Sequence, residues 1–456
     1  MYFPIWQDIC LLGLKTLDYM KYWNWFLRMV VFIPFLQSCQ PTIDEPAPLP
    51  ETVNAVDSVS TDVITQWVDV QNQLFLQTPS FDAPIEARVI AYTYLALYEA
   101  MVPALPGFQS LSSQLNGMPT MPAPDMRLRY HWPTVANVAQ YTILAELFVP
   151  VNTSTKTPLD SLRRTFEQKF NQQIPQDVLE RSIRHGAAVG SAIWQYARQD
   201  GGGSAWSNRF PSSFSPSVGQ AFWRSTTNQP LALLPQWREV RTFLGSNSNV
   251  NISNPPSFSS RNDSPFFAEA KQVYDRTRAL STAQQQNMAR WAEGHGTLGH
   301  PLAMVRSFTH LAKERNLKTS QLIVGLARLG LAGHDAYVQS WKGKFLHQRV
   351  RPQSYLNETL DPSWKALVSD NNTPEFGSSW MTYLGAWSEV VKASFGTTGT
   401  VHLSNSIQYT DLSSLLTDAS NAQWETGLHF PSTLPASLAQ GSTIGKNCVG
   451  LTFRKP

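Results

Sequence analysis

Apolar residues along this chain recur every three or four positions far more often than every second one, and that periodicity predicts helices. Pro84-Ile85-Glu86-Ala87-Arg88 opens a helix through Ala100, with Ile85, Val89, Tyr92 and Ala96 along one stripe. Similar stripes mark 159–170, 175–198, 264–277, 281–293, 301–315, 320–344 and 380–395. Ser281 and Gln284 fit a capping box, and Gly396 stands where the last of these helices should stop. Residues 204–263 read as one long loop rich in proline and serine, whose Trp206, Phe222, Trp223 and Trp237 imply that it packs over a core. Residues 291–300, WAEGHGTLGH, read as a glycine-histidine loop. No repeat of 20–50 residues occurs. The expected fold class is all-α, a helical bundle.

One helix carries an unusual ending. Residues 333–352 read GHDAYVQSWKGKFLHQRVRP, a helix running into five basic residues and a proline. Leu326, Gly330, Gly333, Tyr337, Trp341 and Lys344 share one side of it, so Lys344 points where the buried stripe points. Arg351 falls on the same side if the helix persists, and Pro352 should end helical geometry about there. Two inward cations need anions, because an unpaired buried charge is very costly. Spacing alone favours a pair of structural salt bridges.

Composition narrows the class. The 456 residues are 42% hydrophobic and 15% charged with 15 tryptophans, which suits a compact globular chain. A net charge of +3, without basic runs interleaved with aromatics, gives no support for nucleic-acid binding. From Met20 the chain reads MKYWNWFLRMVVFIPFLQSCQP, with Lys21 and Arg28 ahead of a short apolar run. That run is too short to span a bilayer and resembles a signal-peptide core ending in a bacterial lipobox, with Cys39 as the lipidated residue. Residues 1–38 are then an upstream extension plus a lipoprotein signal peptide, 39–58 a flexible tether, and 59–456 a single α-helical domain whose catalytic-type half is about 264–456. The alternative is an uncleaved anchor. The expected location is export, with lipid anchoring to a bacterial membrane. Loss of Cys10 and acylation of Cys39 would leave only Cys448 of three cysteines, so no disulfide framework forms.

Several segments together resemble the bacterial vanadium-dependent haloperoxidases of the type 2 phosphatidic acid phosphatase superfamily. Ala87-Arg88 with Ala91-Tyr92 and Tyr98-Glu99-Ala100 looks like that group's first core helix. Trp223, Pro235-Gln236-Trp237 and Arg241-Thr242-Phe243 resemble the loop before its catalytic half, and Asp335-Ala336 with Trp341 resembles the helix entering its site. The resemblance implies three motifs that hold vanadate or phosphate. The first, a lysine followed after six residues by arginine-proline, stands intact as Lys344 and Arg351-Pro352. The second, proline-serine-glycine-histidine, corresponds to Ser378, Ser379 and Trp380, so its histidine is replaced. The third, serine-arginine then histidine, corresponds to Gln423 and His429, with arginine replaced. A carboxylate expected after that histidine is missing near Pro435.

By this resemblance His429 is the nucleophile toward phosphorus or the axial vanadate ligand, while Lys344, Arg351, Ser378, Ser379 and Gln423 line the oxyanion. Exchanging arginine for Gln423 removes a charge-assisted hydrogen bond of about 1.5–3 kcal/mol, about one or two powers of ten in affinity. Trp380 cannot exchange a proton at neutral pH, which removes a contribution of about 10²–10⁴-fold. His295, His300, His347, His402 and Arg349 are candidate substitutes, each with a commoner reading as a surface or packing residue. No two histidines have helical ligand spacing with a carboxylate, so a zinc site is not indicated. Three functions follow: a diverged member with a partial vanadate or phosphate pocket and little turnover; an active phosphatase or haloperoxidase with a substitute acid/base; or a structural or binding lipoprotein. The implied partners are a small oxyanion or phosphorylated small molecule, and the membrane through the lipid anchor.

Overall fold

The computed structural model describes residues 60–292 and 297–455; the proposed leader, Cys39, the tether and His295 lie outside the described residues. The amino-terminal layer consists of α1 (Asp62–Leu76), α2 (Ala83–Met101), α3 (Trp132–Phe148), α4 (Lys156–Asn171) and α5 (Gln176–Ala197). After a long loop come α6 (Pro265–Arg278), α7 (Thr282–Trp291), α8 (Pro301–Glu314), α9 (Thr319–His347) and α10 (Pro352–Thr359). The chain closes with α11 (Ser379–Phe395), the antiparallel strands β1 (Val401–Ser404) and β2 (Ile407–Tyr409), α12 (Leu412–Glu425) and α13 (Thr433–Val449). None of the described helices is long and apolar enough to cross a membrane.

Helix α9 is the central strut, packed against α2, α11 and α13. Its predicted stripe from Leu326 to Lys344 is buried throughout. Two glycines let its neighbours close in: a Cβ on Gly330 would lie 2.7 Å from the Ala91 Cα, and one on Gly333 would lie 2.6 Å from the Tyr383 ring. The capping box of Ser281 and Gln284 forms at the start of α7, and Gly396 terminates α11 at φ 86°.

The loop over 204–263 packs as its tryptophans imply, with Trp223 and Trp237 fully buried. It is pinned by Asp335 of α9, whose carboxylate accepts the Phe243 and Leu244 N–H groups (2.7 and 3.2 Å) and the Asn247 amide (2.8 Å). It also pairs with the chain just beyond α9, through Trp223 N–H to Gln348 O (2.7 Å) and Val350 N–H to Ala221 O (3.0 Å).

Five helices and the hairpin were not foreseen from the sequence: α1, α3, α10, α12, α13, β1 and β2. In α3, Val135, Ala136, Asn137, Val138, Ala139 and Gln140 are buried in succession, so no one-sided stripe marks it. His402, expected in a loop, lies on β1.

Candidate functional site

Helix α9 stops at His347, earlier than the proline signal implies, where Gln348 takes a left-handed conformation at φ 46°. Pro352 instead opens α10, with Arg351 as its extended N-cap. Arg351 therefore leaves the helical face shared by Lys344. In the extended segment that follows, residues two apart point the same way. Arg349 and Arg351 thus both turn inward, at 4% and 3% exposure.

All three cations meet the segment 370–375. Lys344 Nζ donates to Pro374 O at 2.9 Å. Arg351 donates through Nε to Thr373 O (3.0 Å), through Nη1 to Leu428 O (2.9 Å), and through Nη2 to Thr373 Oγ1 (3.1 Å) and Asn371 Oδ1 (3.3 Å). The same nitrogen lies 3.0 Å from Asp370 Oδ1, a close ion pair that lacks hydrogen-bond alignment. Arg349 bridges Glu375 Oε2 (3.2 Å) and Glu269 Oε2 (3.0 Å), with its guanidinium 4.3 Å from the Phe430 ring centroid.

Glu375 joins this network to the histidine. Its Oε1 accepts the Phe430 N–H at 3.1 Å and lies 3.1 Å from His429 Nδ1. Burial pushes the Glu375 carboxyl up, but the charge of Arg349 and hydrogen bonds from His429 and Thr433 outweigh it and hold it down to about 2. Burial, opposed by the Glu375 hydrogen bond and reinforced by the charges of Arg351 and Lys344, lowers His429 to about 4. His429 is thus neutral at pH 7, and the ionised carboxylate places its proton on Nδ1. His429 thus lies close enough to Lys344 and Arg351 to feel their charges.

The remaining motif positions serve the core. Ser378 caps α11, accepting the Met381 N–H on Oγ at 3.4 Å, while its own N–H goes to Ser437 Oγ at 2.9 Å. Ser379 begins α11 and is buried. Trp380 is fully buried, stacked on Tyr383 with centroids 5.5 Å apart, and its indole N–H has no hydrogen-bond partner among the described residues. Gln423 commits its amide N–H to Trp291 O at 3.2 Å.

Of the candidate substitutes, His347 is half-buried, its edge toward Phe376, and burial with the Arg349 charge lowers its pKa. His402 pairs with Glu314, and His300 Nδ1 lies 2.8 Å from Glu86 Oε1. That last pair borders a cavity of about 190 Å³ whose lining includes Asp82, Trp341 and Asn371.

The sequence reading missed Glu375, Glu269 and Asp370, and underweighted Arg349. A usable signal existed for Glu375 alone: an acid directly after Pro374 is out of place in a loop expected to receive an anion. Arg349 pairs with Glu269 and Glu375, and Arg351 with Asp370, so three carboxylates equal in number the three cations Lys344, Arg349 and Arg351. An external vanadate would enter a cluster already neutral, beside a buried carboxylate, and opposite an arginine fork bonded to backbone and side-chain oxygens. The residues present do not fit it as a tightly held cofactor.

No protein-family model and no curated protein matches the sequence. Solved structures do match in fold. A bacterial vanadium-dependent iodoperoxidase superposes with a TM-score of 0.78 at 21% identity, over 87% of this chain and 98% of that one. A bacterial vanadium-dependent chloroperoxidase in its apo form gives 0.62 at 12% identity, over 80% and 92% of the two chains. A holo-type chloroperoxidase structure gives 0.61 at 12% identity, over 89% and 96%. The chain has the all-α fold of the bacterial vanadium-dependent haloperoxidases.

Proposed function

We propose that this is a diverged haloperoxidase-fold protein in which the oxyanion pocket has become an internal ion-pair network, with little or no peroxidase or phosphatase turnover. The observation that carries this reading is Glu375, which bridges Arg349 and His429 from the segment just ahead of the second motif. Three buried cations beside three buried carboxylates carry no net charge to attract a dianion. Trp380 and Gln423 stand where the family resemblance of the sequence implies a proton-exchanging histidine and a further cation. On this reading the protein is exported and anchored by lipid on Cys39. Growing cells should label Cys39 with lipid; an unlabelled Cys39 ends that part of the proposal.

Vanadate and phosphate binding by titration calorimetry tests the pocket. The parent protein should bind neither at millimolar concentration, whereas Glu375→Ala should gain weak vanadate binding that Lys344→Ala abolishes. Tight vanadate binding by the parent, or bromide or iodide oxidation with vanadate and peroxide, overturns the reading.

A second reading, an active phosphatase, rests on two oriented histidines. Glu375 holds Nδ1 of His429, which supplies from another segment the carboxylate missing near Pro435 and leaves Nε2 as the basic nitrogen. The Glu86–His300 pair sits one cavity away, since Asn371 both lines that cavity and accepts from Arg351. Hydrolysis of p-nitrophenyl phosphate that falls in both His429→Ala and His300→Ala would establish it.

A further inference from the structure

Away from this network, α8 and β1 bring together three side chains of metal-ligating type. His310 and Glu314 are one turn apart on the last two turns of α8, so they share a face. His402 comes from β1, which α8 holds through Ser307 Oγ to Leu403 O (3.1 Å) and Arg315 Nη2 to Thr400 O (2.9 Å). One ligand atom from each of His310, Glu314 and His402 lies within 4.8 Å of the other two. Sequence spacing hid this set, because the second histidine arrives from a strand beyond α11.

We propose that His310, Glu314 and His402 form a binding site for a divalent transition-metal ion of the zinc type, which staples the β1–β2 hairpin to the end of α8. Two imidazoles and one carboxylate suit zinc, nickel, copper or iron(II) and not the all-oxygen preference of calcium or magnesium. Bonds of about 2.0–2.2 Å place tetrahedral ligands about 3.3 Å apart, within reach of half-exposed side chains that start no more than 4.8 Å from one another. His402 Nδ1 and Glu314 Oε1 already lie 2.6 Å apart, so the fold itself brings two of the three ligand atoms together. The His310 ring is the telling member: it is half-buried and has no hydrogen bond or ion pair among the described residues. The carbonyl end of α8 also favours a cation. Entry is open, since His310 and Ser404 line a cleft of about 620 Å³.

The test is Zn²⁺ alone, titrated calorimetrically into the purified full chain, with Co²⁺ absorption as a report on coordination. One ion per chain should bind, and thermal unfolding should move upward with it. His310→Ala should weaken binding by about 100-fold or more, at least what losing an outer partner of a ligand costs. Because His310 makes no other polar bond among the described residues, that variant should unfold like the parent when metal is absent. His402→Ala should weaken binding similarly, although it also loses the Glu314 pair. His347→Ala, distant in sequence and outside the triad, should bind like the parent. Stoichiometry below one, or unchanged binding in His310→Ala, means adventitious association elsewhere and overturns the site.

Discussion

The carboxylate of Glu375 is the most consequential group in the network, and Glu375→Gln removes its charge while keeping its shape. In the parent protein, one oxygen accepts the Phe430 N–H beside His429, and the other accepts from Arg349. An amide has one acceptor, so its NH₂ must face either the Phe430 N–H or the guanidinium. Arg349 would keep only Glu269 as an ionic partner. Breaking a buried pair by removing one member costs about 3–5 kcal/mol. The depression of the carboxyl from 4.5 to about 2 gives an independent figure of about 3 kcal/mol. A depressed acid contributes its stability fully above its unfolded pKa and loses it as pH falls through the folded one. The gap between parent and Glu375→Gln should therefore be about 3 kcal/mol at pH 7 and close progressively between pH 4.5 and 2. Urea unfolding followed by tryptophan fluorescence at a series of pH values measures it. A gap below about 1 kcal/mol at pH 7, or one that persists unchanged at pH 2, refutes the argument that this carboxylate is held ionised by Arg349 and His429.

Three further outcomes follow from the packing. Asp335→Asn sets an NH₂ against the Phe243 or Leu244 N–H and should destabilise by about 1–3 kcal/mol in urea unfolding. Burial raises the Asp335 carboxyl from 3.8 to about 7, so its contribution is present below 3.8 and is lost as pH rises through 7; the variant should lack that part of the pH slope. Gly441→Ala would place a Cβ 1.9 Å from Thr382 O where α11 meets α13, and its thermal midpoint should fall sharply or the chain fail to accumulate. The double change Trp380→His with Gln423→Arg should cost about 3 kcal/mol from the emptied core and restore no bromide oxidation, because Glu375 still balances the cations. Activity in that double variant would show the pocket to be intact.

What could be read from the chain depends on how far apart the cooperating residues lie. Helix α9 was legible because one-sided burial leaves a periodic trace, and its lysine stood on the buried side. Helix α3 was not, because burial on every side erases the contrast on which the pattern depends. The motif positions were legible as spacings, yet their partners were not. Glu269, Asp370 and Glu375 come from α6 and from the segment before α11, and no local pattern links an acid on one element to an arginine on another.

The same distinction bears on the meaning of the lysine–arginine spacing. A lysine at the end of α9 and an arginine before α10 can cradle an oxyanion, but here they bond to the carbonyls of Pro374, Thr373 and Leu428. Those bonds fix the 371–375 segment and the turn carrying His429 against the end of α9, so the cations have a structural task whether or not a ligand ever binds. Intact spacing is therefore compatible with a lost cofactor. It also means that Lys344→Ala should lower stability as well as any anion binding, and that an anion-binding defect in that variant is informative only after its fold has been checked by unfolding. Glu375→Ala avoids that ambiguity in one direction, because it can gain binding, and a gain is not produced by a loosened fold alone when Lys344→Ala in the same background removes it.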